Sequence, residues 1–189
     1  PLLVTSPGME PNLTAFETSC RTEVRDRKLY LSPSPEYAMK RLLATGLEKI
    51  YQISKAFRDE SIGSLHNPEF TLLEWYRAYA DYGTIMADAE KLIYGLGQEI
   101  TGSSYLHFQD RKVDLTPPWE RMTVREAMVY YSGIQVDPDE DLNAFILEAQ
   151  EKGHTSVHID DPYEMAFFKF FLEAVEDKLG RTKPTLLVD

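Results

Sequence analysis

Tyr51-Gln52-Ile53-Ser54-Lys55-Ala56-Phe57-Arg58-Asp59-Glu60 and Glu69-Phe70-Thr71-Leu72-Leu73-Glu74-Trp75-Tyr76-Arg77-Ala78-Tyr79-Ala80 read as two strands joined by a short connection, Ser61 to Pro68. With a period of two, the first segment puts Gln52, Ser54, Ala56, Arg58 and Glu60 on one face. The second puts Phe70, Leu72, Glu74, Tyr76 and Ala78 on one face. As an antiparallel hairpin, the pair would present a guanidinium, carboxylates, an aromatic ring and a phenol over one surface. A purely structural face rarely gathers such groups, because burying them is costly unless each is partnered. The set suits a ligand that carries a phosphate and a base, together with one that carries an ammonium.

Outward from this hairpin, the pattern alternates helices with short strands. Upstream, residues 1–27 read as irregular with short strands, and Lys28 to Ser32 as a strand. Ser34-Pro35-Glu36 opens a helix to Ala44, with Ser34 as N-cap, Pro35 in the first turn and an acid behind it. Its apolar positions are Tyr37, Met39, Leu42 and Leu43, and Gly46 ends it. Downstream, Thr84 to Ile100 carries Ile85, Met86, Ala89, Leu92, Ile93 and Leu96 at helical spacing. Leu106 to Leu115 reads as a hairpin turning at Gln109-Asp110. Thr123 to Tyr131 is a helix, with Glu126 completing a capping box. Asp141 to Lys152 and Pro162 to Leu179 are further helices. The last of these is expected to bury Met165, Phe167, Phe168, Phe171, Leu172 and Val175. Thr185 to Val188 begins a strand. These elements predict an α+β domain with a mainly antiparallel sheet flanked by helices. The expected boundaries are a core over 1–115, a mainly helical subdomain over 116–180, and the start of a further core strand over 181–189.

Composition narrows the function classes. The 189 residues are 43% hydrophobic, enough for a real core, and carry a formal net charge of -11. Broad nonspecific nucleic-acid binding needs Lys and Arg to neutralise phosphates, so this balance argues against it. The single cysteine, Cys20, cannot form an internal disulfide. That predicts a reducing, cytoplasmic setting. No apolar run is long enough for a membrane span, so no membrane partner is expected. Pro1-Leu2-Leu3-Val4 lacks a starting Met and a basic leader, and reads as a chain cut from a longer one.

Each candidate side chain has a plain reading beside a chemical one. Arg58 could grip a carboxylate and a phosphate with its planar fork, or could be a sheet-surface arginine paired with Glu60. Glu60 could bind an amine, a ribose hydroxyl or a metal. Phe70 could stack on a base or fill a core. Glu74 and Tyr76 share its face, and a buried glutamate needs a partner. His66 and Asn67 sit in the connection, where contacts to a nucleotide are easy.

The written strings sharpen this. Phe57-Arg58-Asp59-Glu60, then His66-Asn67-Pro68-Glu69-Phe70-Thr71-Leu72-Leu73-Glu74-Trp75-Tyr76, resembles the second signature motif of class II aminoacyl-tRNA synthetases in its lysyl form. Ser34-Pro35-Glu36-Tyr37-Ala38-Met39-Lys40-Arg41-Leu42-Leu43 looks like the same branch. Ser-Pro-Glu-Tyr with Leu-Glu-Trp-Tyr is most similar to the truncated lysyl paralog that modifies elongation factor P, and Ala15-Phe16-Glu17-Thr18 fits it too. Arg77-Ala78-Tyr79-Ala80-Asp81-Tyr82 is closer to the tRNA synthetases.

The resemblance implies an ATP-dependent ligase with Mg2+. It would activate lysine or β-lysine as an aminoacyl-adenylate and pass it to a lysine of elongation factor P. The alternative it implies is the catalytic core of a lysyl-tRNA synthetase acting on tRNA-Lys. A third is a noncatalytic paralog that binds ATP or lysine. It implies that Arg58 and Glu60 are catalytic, and that Arg58, Asp59, Glu60, His66, Asn67 and Phe70 hold ATP. It assigns Ser34, Pro35, Glu36, Glu74 and Tyr76 to the lysine. No metal ligand is named. A homodimer is implied for the full-length form. Pro1 looks like the proline closing the first signature motif. The third motif would lie past Asp189, so residues 1–189 alone are expected to be inactive.

Overall fold

The computed structural model describes residues 2–6, 13–21, 23–60, 62–63 and 66–188; the reading of Pro1 lies outside them. The chain divides into two compact units, Pro1–Asp81 and Tyr82–Asp189. This division falls ahead of the 115/116 boundary expected from the sequence.

In the first unit, β1 (Leu3–Val4), β2 (Glu17–Cys20) and β3 (Arg27–Leu31) form an antiparallel sheet in the order β1-β3-β2. Helix α1 (Glu36–Ala44) comes next in the chain. Pro35, with φ -76° and ψ -1°, occupies the N-cap position expected for Ser34. Ser34 lies one residue further out, yet its hydroxyl still accepts the Glu36 N–H at 3.0 Å. At the other end the Thr45 and Gly46 N–H groups bond to the Leu42 and Leu43 carbonyls. Gly46 has φ +98°, the left-handed conformation that glycine adopts without a Cβ penalty. Met39 is the buried residue of α1, whereas Tyr37 and Leu42 are exposed.

Strands β4 (Lys49–Phe57) and β5 (Glu69–Arg77) form the antiparallel hairpin read from the sequence. Directly opposed residues share a face. One face therefore carries Ala56 opposite Phe70, Ser54 opposite Leu72, Gln52 opposite Glu74 and Ile50 opposite Tyr76. The strands are shorter than expected. The Arg58 N–H makes one more bond to the Pro68 carbonyl, and then the Asp59 N–H turns to the Thr14 carbonyl at 2.8 Å. Asp59 and Glu60 thus leave the ladder, and strand alternation does not govern Glu60. Ala78 and Tyr79 form a turn, with Tyr79 at φ +55°.

The second unit opens with α2 (Tyr82–Thr101) and the hairpin β6 (Tyr105–Phe108)–β7 (Arg111–Asp114), which turns at Gln109-Asp110. Helix α2 is tied to the segment after β7. Buried Glu90 accepts the Trp119 N–H at 3.0 Å, and a Cβ on Gly97 would meet the Leu115 side chain at 2.6 Å. These contacts hold α2 to residues 115–119 of its own unit.

Strand β8 (Glu120–Thr123), helices α3 (Val124–Ser132), α4 (Leu142–Glu151) and α5 (Tyr163–Ala174), and β9 (Thr185–Val188) complete the chain. β8 and β9 pair in parallel, Glu120 opposite Thr185, so the three helices form the crossover between them. Four residues give no period to read, and β8 was not legible in the sequence. The α3 capping box is complete: Thr123 Oγ1 accepts the Glu126 N–H, and the Glu126 carboxylate accepts the Thr123 N–H. Asp141 caps α4 through the Ala144 N–H.

The core here joins Met128, Ile134, Phe145, Ile146, Val157 and Phe170, with Phe145 and Phe170 edge to face at 5.1 Å. Helix α5 is shorter than expected, and a 3-10 turn, Glu176–Lys178, comes after it. It buries Ala166, Phe170 and Ala174, with Val175 just beyond. Met165, Phe168 and Leu172, expected inside, are 49%, 59% and 53% exposed. The helix carries apolar residues on opposite sides, so spacing alone could not select the inner face.

Candidate active site

The hairpin face, the residues leaving β4 and the segment entering α1 all belong to the first unit. Phe57 N–H bonds to the Ser32 carbonyl at 3.0 Å, which lays Ser32-Pro33-Ser34 beside the end of β4. Ser32 is buried, and its hydroxyl donates to the Ser34 carbonyl at 2.8 Å, which stiffens the entry to α1.

Two functional groups are fastened to this segment. The Arg58 Nε–H donates to the Pro33 carbonyl at 3.4 Å. The next residue, Ser34, donates its hydroxyl to Glu74 Oε1 at 2.5 Å. Arg58 also lies 5.2 Å from the centroid of the Phe70 ring, a cation–π arrangement. No contact among the described residues occupies its two terminal nitrogens. They form the planar fork that matches carboxylate and phosphate oxygens. The plain reading of Arg58 as an ion-pair partner of Glu60 is not what the structure gives, since no such pair exists among the described residues.

Glu74 receives a second hydroxyl, Tyr76 OH, on Oε2 at 2.8 Å. Both carboxylate oxygens are thus held by neutral donors, and no cation is paired with this half-buried acid among the described residues. Burial pushes the Tyr76 phenol far above its ordinary value, and the hydrogen bond to the Glu74 carboxylate pushes it the same way. The phenol therefore remains a donor to Glu74 throughout the neutral range. The result is an anionic cup walled by hydroxyls, suited to an ammonium.

Glu36 stands in the first turn of α1, with Lys40 Nζ on its Oε1 at 2.5 Å. That contact raises the Lys40 ammonium above its usual range. Pro35 is buried at the N-cap of α1. Asp59, Glu60, His66 and Asn67 do not join the Ser34–Glu74–Tyr76 network by any side-chain bond among the described residues. The structure therefore brings together Ser34, Arg58, Phe70, Glu74 and Tyr76. Pro33 is the participant that sequence reasoning missed. It acts through its carbonyl, and the only available signal was its place before Ser34-Pro35. Among the described residues no group of three or more His, Cys, Asp or Glu is arranged to hold a metal ion.

Comparison with known proteins bears on this geometry. The family model described as tRNA synthetases class II (D, K and N) matches residues 1–179. The chain belongs to that family. A lysine–tRNA ligase of Pelotomaculum thermopropionicum is 38% identical over 166 residues, 87% of this chain and 32% of the relative. One from Methanoculleus marisnigri is 39% identical over 150 residues, 78% of this chain and 30% of the relative. One from Variovorax paradoxus is 33% identical over 193 residues, 100% of this chain and 36% of the relative. The chain thus spans about one third of the length of these curated relatives. It is a lysyl-tRNA synthetase-like class II domain, and its α+β make-up of helices with mostly antiparallel pairings agrees with that. No helix among the described residues is long and apolar enough to cross a membrane.

Proposed function

We propose that this chain supplies the lysine-activating surface of a lysine–tRNA ligase, which uses ATP to form lysyl adenylate and then esterifies tRNA-Lys. The observation that carries this reading is the Pro33-Ser34 segment. Its carbonyl holds Arg58 and its hydroxyl holds Glu74, and among the described residues neither the guanidinium fork nor the carboxylate has an ion-pair partner.

Arg58 takes the two anionic partners of the first step, the lysine carboxylate and the α-phosphate of ATP. The carboxylate is already ionised at neutral pH, so no general base is required. Its oxygen attacks the α-phosphorus, and pyrophosphate leaves with the electron pair of the broken bond. The protein's task is alignment and charge neutralisation. Phe70 offers its ring to adenine. It lies four residues from Glu74 on the same strand face, about 14 Å at the rise of an extended chain. Glu74, with Ser34 and Tyr76, receives the side-chain ammonium of lysine, and Glu36 its α-ammonium, in exchange for Lys40. Asp59, Glu60, His66 and Asn67 line the phosphate side. With no ready-made acid cluster among the described residues, Mg2+ would arrive on the ATP phosphates and neutralise charge there.

In the second step a tRNA ribose hydroxyl attacks the acyl carbon and AMP leaves, giving an ester. A second reading keeps the same activation but transfers lysine or β-lysine to an amine of elongation factor P, giving an amide. Ser34-Pro35-Glu36-Tyr37 and Leu73-Glu74-Trp75-Tyr76 favour it. The names of the relatives favour the tRNA acceptor, whereas these strings favour the protein acceptor.

The deciding experiment incubates the full-length protein to which this chain belongs with ATP and labelled lysine or β-lysine, in the presence of tRNA-Lys or elongation factor P. Label on tRNA that mild alkali removes supports the proposal. Alkali-stable label on elongation factor P replaces it with the second reading. Absence of lysine-dependent pyrophosphate exchange, and of binding to a non-hydrolysable lysyl-adenylate analogue, leaves the noncatalytic paralog.

A further inference from the structure

The outer side of α5 departs most from the sequence expectation. Met165, Phe168 and Leu172 recur at helical spacing and so share one side of the helix. They are 49%, 59% and 53% exposed, while Ala166, Phe170 and Ala174 fill the core from the opposite side. A helix apolar on both sides is built to be covered on both sides. An exposed apolar ridge of this kind offers a surface for another apolar face to cover.

Charge says what covers it. Residues 124–178 contain 13 acidic and 4 basic side chains. All four bases are engaged within the unit. Arg125 donates to the Val136 carbonyl at 2.9 Å and pairs with Asp137 at 3.7 Å. Lys152 pairs with Glu148 at 3.7 Å, and Lys169 with Asp161 at 2.8 Å. Lys178 donates to the Tyr131 carbonyl at 2.7 Å. By contrast, the Asp160, Glu164, Glu176 and Asp177 side chains have no hydrogen-bond or ion-pair partner among the described residues. Glu164 stands one turn before Phe168 on α5, and Glu176 and Asp177 lie just past the helix. The ridge is therefore apolar along its crest, with unpaired Glu164 beside Phe168 on one flank and Lys169, already engaged by Asp161, on the other.

We propose that the Met165–Phe168–Leu172 ridge docks a basic amphipathic helix of a partner protein, one whose apolar stripe is flanked by Lys or Arg. Two helices packed ridge into groove would cover the three apolar side chains. Cations on the incoming helix would meet the unpaired acids and set its orientation. A second copy of this chain would bring a like-charged surface to the same place. Nucleic acid and anionic lipid would find no free cation on this face among the described residues.

The test uses a fluorescent Leu/Lys amphipathic peptide with its leucines at helical spacing. Its controls are a Leu/Lys peptide of the same composition with the stripe scrambled, and a Leu/Glu counterpart. Anisotropy titrations with the protein should show the patterned Leu/Lys peptide binding about tenfold or more tighter than either control. Phe168→Ser and Leu172→Ser should each weaken it by about tenfold, as expected of central apolar anchors. Glu164→Gln with Glu176→Gln should weaken binding at low salt and flatten its salt dependence. All these residues are exposed, and circular dichroism will verify that the variants stay folded. Equal binding of patterned and scrambled peptides would overturn the proposal, as would indifference to Phe168→Ser or no binding at all. Phe168-dependent self-association in sedimentation would overturn it in favour of a second copy.

Discussion

Ser34 and Glu74 are forty residues apart in the chain, and their side chains meet at 2.5 Å. The same Ser34 hydroxyl accepts the Glu36 N–H, so the start of α1 and the floor of the hairpin are one hydrogen-bonded unit. Glu74→Gln keeps the shape but removes the charge. We expect at least about a hundredfold loss in kcat/KM for lysine, since a hydrogen bond to a charged group contributes about 1.5–3 kcal/mol and the ammonium would also lose its counter-charge. Ser34→Ala should cost about tenfold. Lysine-dependent pyrophosphate exchange by the full-length protein measures both, and a Glu74→Gln variant with the parental KM for lysine would remove Glu74 from the lysine site.

Arg58→Ala should reduce exchange by orders of magnitude. Arg58→Lys should recover little of it, because an ammonium has charge but no planar fork. If Arg58→Lys exchanges like the parent, charge alone suffices and the bidentate role is wrong.

Phe70→Leu retains an apolar side chain but removes the stacking plane. Stacking on a base is worth about 1–3 kcal/mol. The KM for ATP should rise about tenfold or more while the KM for lysine holds. A shift confined to lysine would reverse the assignment of the two ends.

The second unit offers a pH test independent of catalysis. Burial works to raise the Glu148 carboxyl, but N–H groups of Val136 and Gln135, with Lys152, outweigh it and hold the acid below its ordinary range. A depressed folded value means stability that is present above the unfolded value and lost as pH falls through the folded one. Glu148→Gln should cost about 1–3 kcal/mol near neutrality, and the gap should close in acid. Thermal melts across that range check it; a gap that persists unchanged in acid would show that the charge is not what matters.

How much of this could be read beforehand differs by element. The β4–β5 hairpin, both flanking helices and the α3 capping box are legible in local patterns, because strand alternation, helix spacing and capping are short-range effects. The shared face of Phe70, Glu74 and Tyr76 came from alternation alone. The end of β4 at Phe57 did not, because it depends on Asp59 reaching Thr14, 45 residues back in the chain. Thr185–Val188 is legible as a strand, but its partner β8, more than sixty residues back, is too short to show a period, so the pairing is not. In α5 the pattern was present but ambiguous, since both sides are apolar. Only the packing of α3 and α4 against it selects Ala166, Phe170 and Ala174 as the inner side.

In the proposed site the peptide linking Pro33 to Ser34 would work as a gauge. Adjacent residues tether the guanidinium and the carboxylate through hydrogen bonds, so the two groups are held relative to one another by one short segment. An amino acid one methylene shorter than lysine, such as ornithine, would satisfy one anchor and miss the other. A single methylene in an apolar pocket is worth about 1–3 kcal/mol. Here the mismatch would also leave the half-buried Glu74 without its cation, so length should be graded at least that steeply.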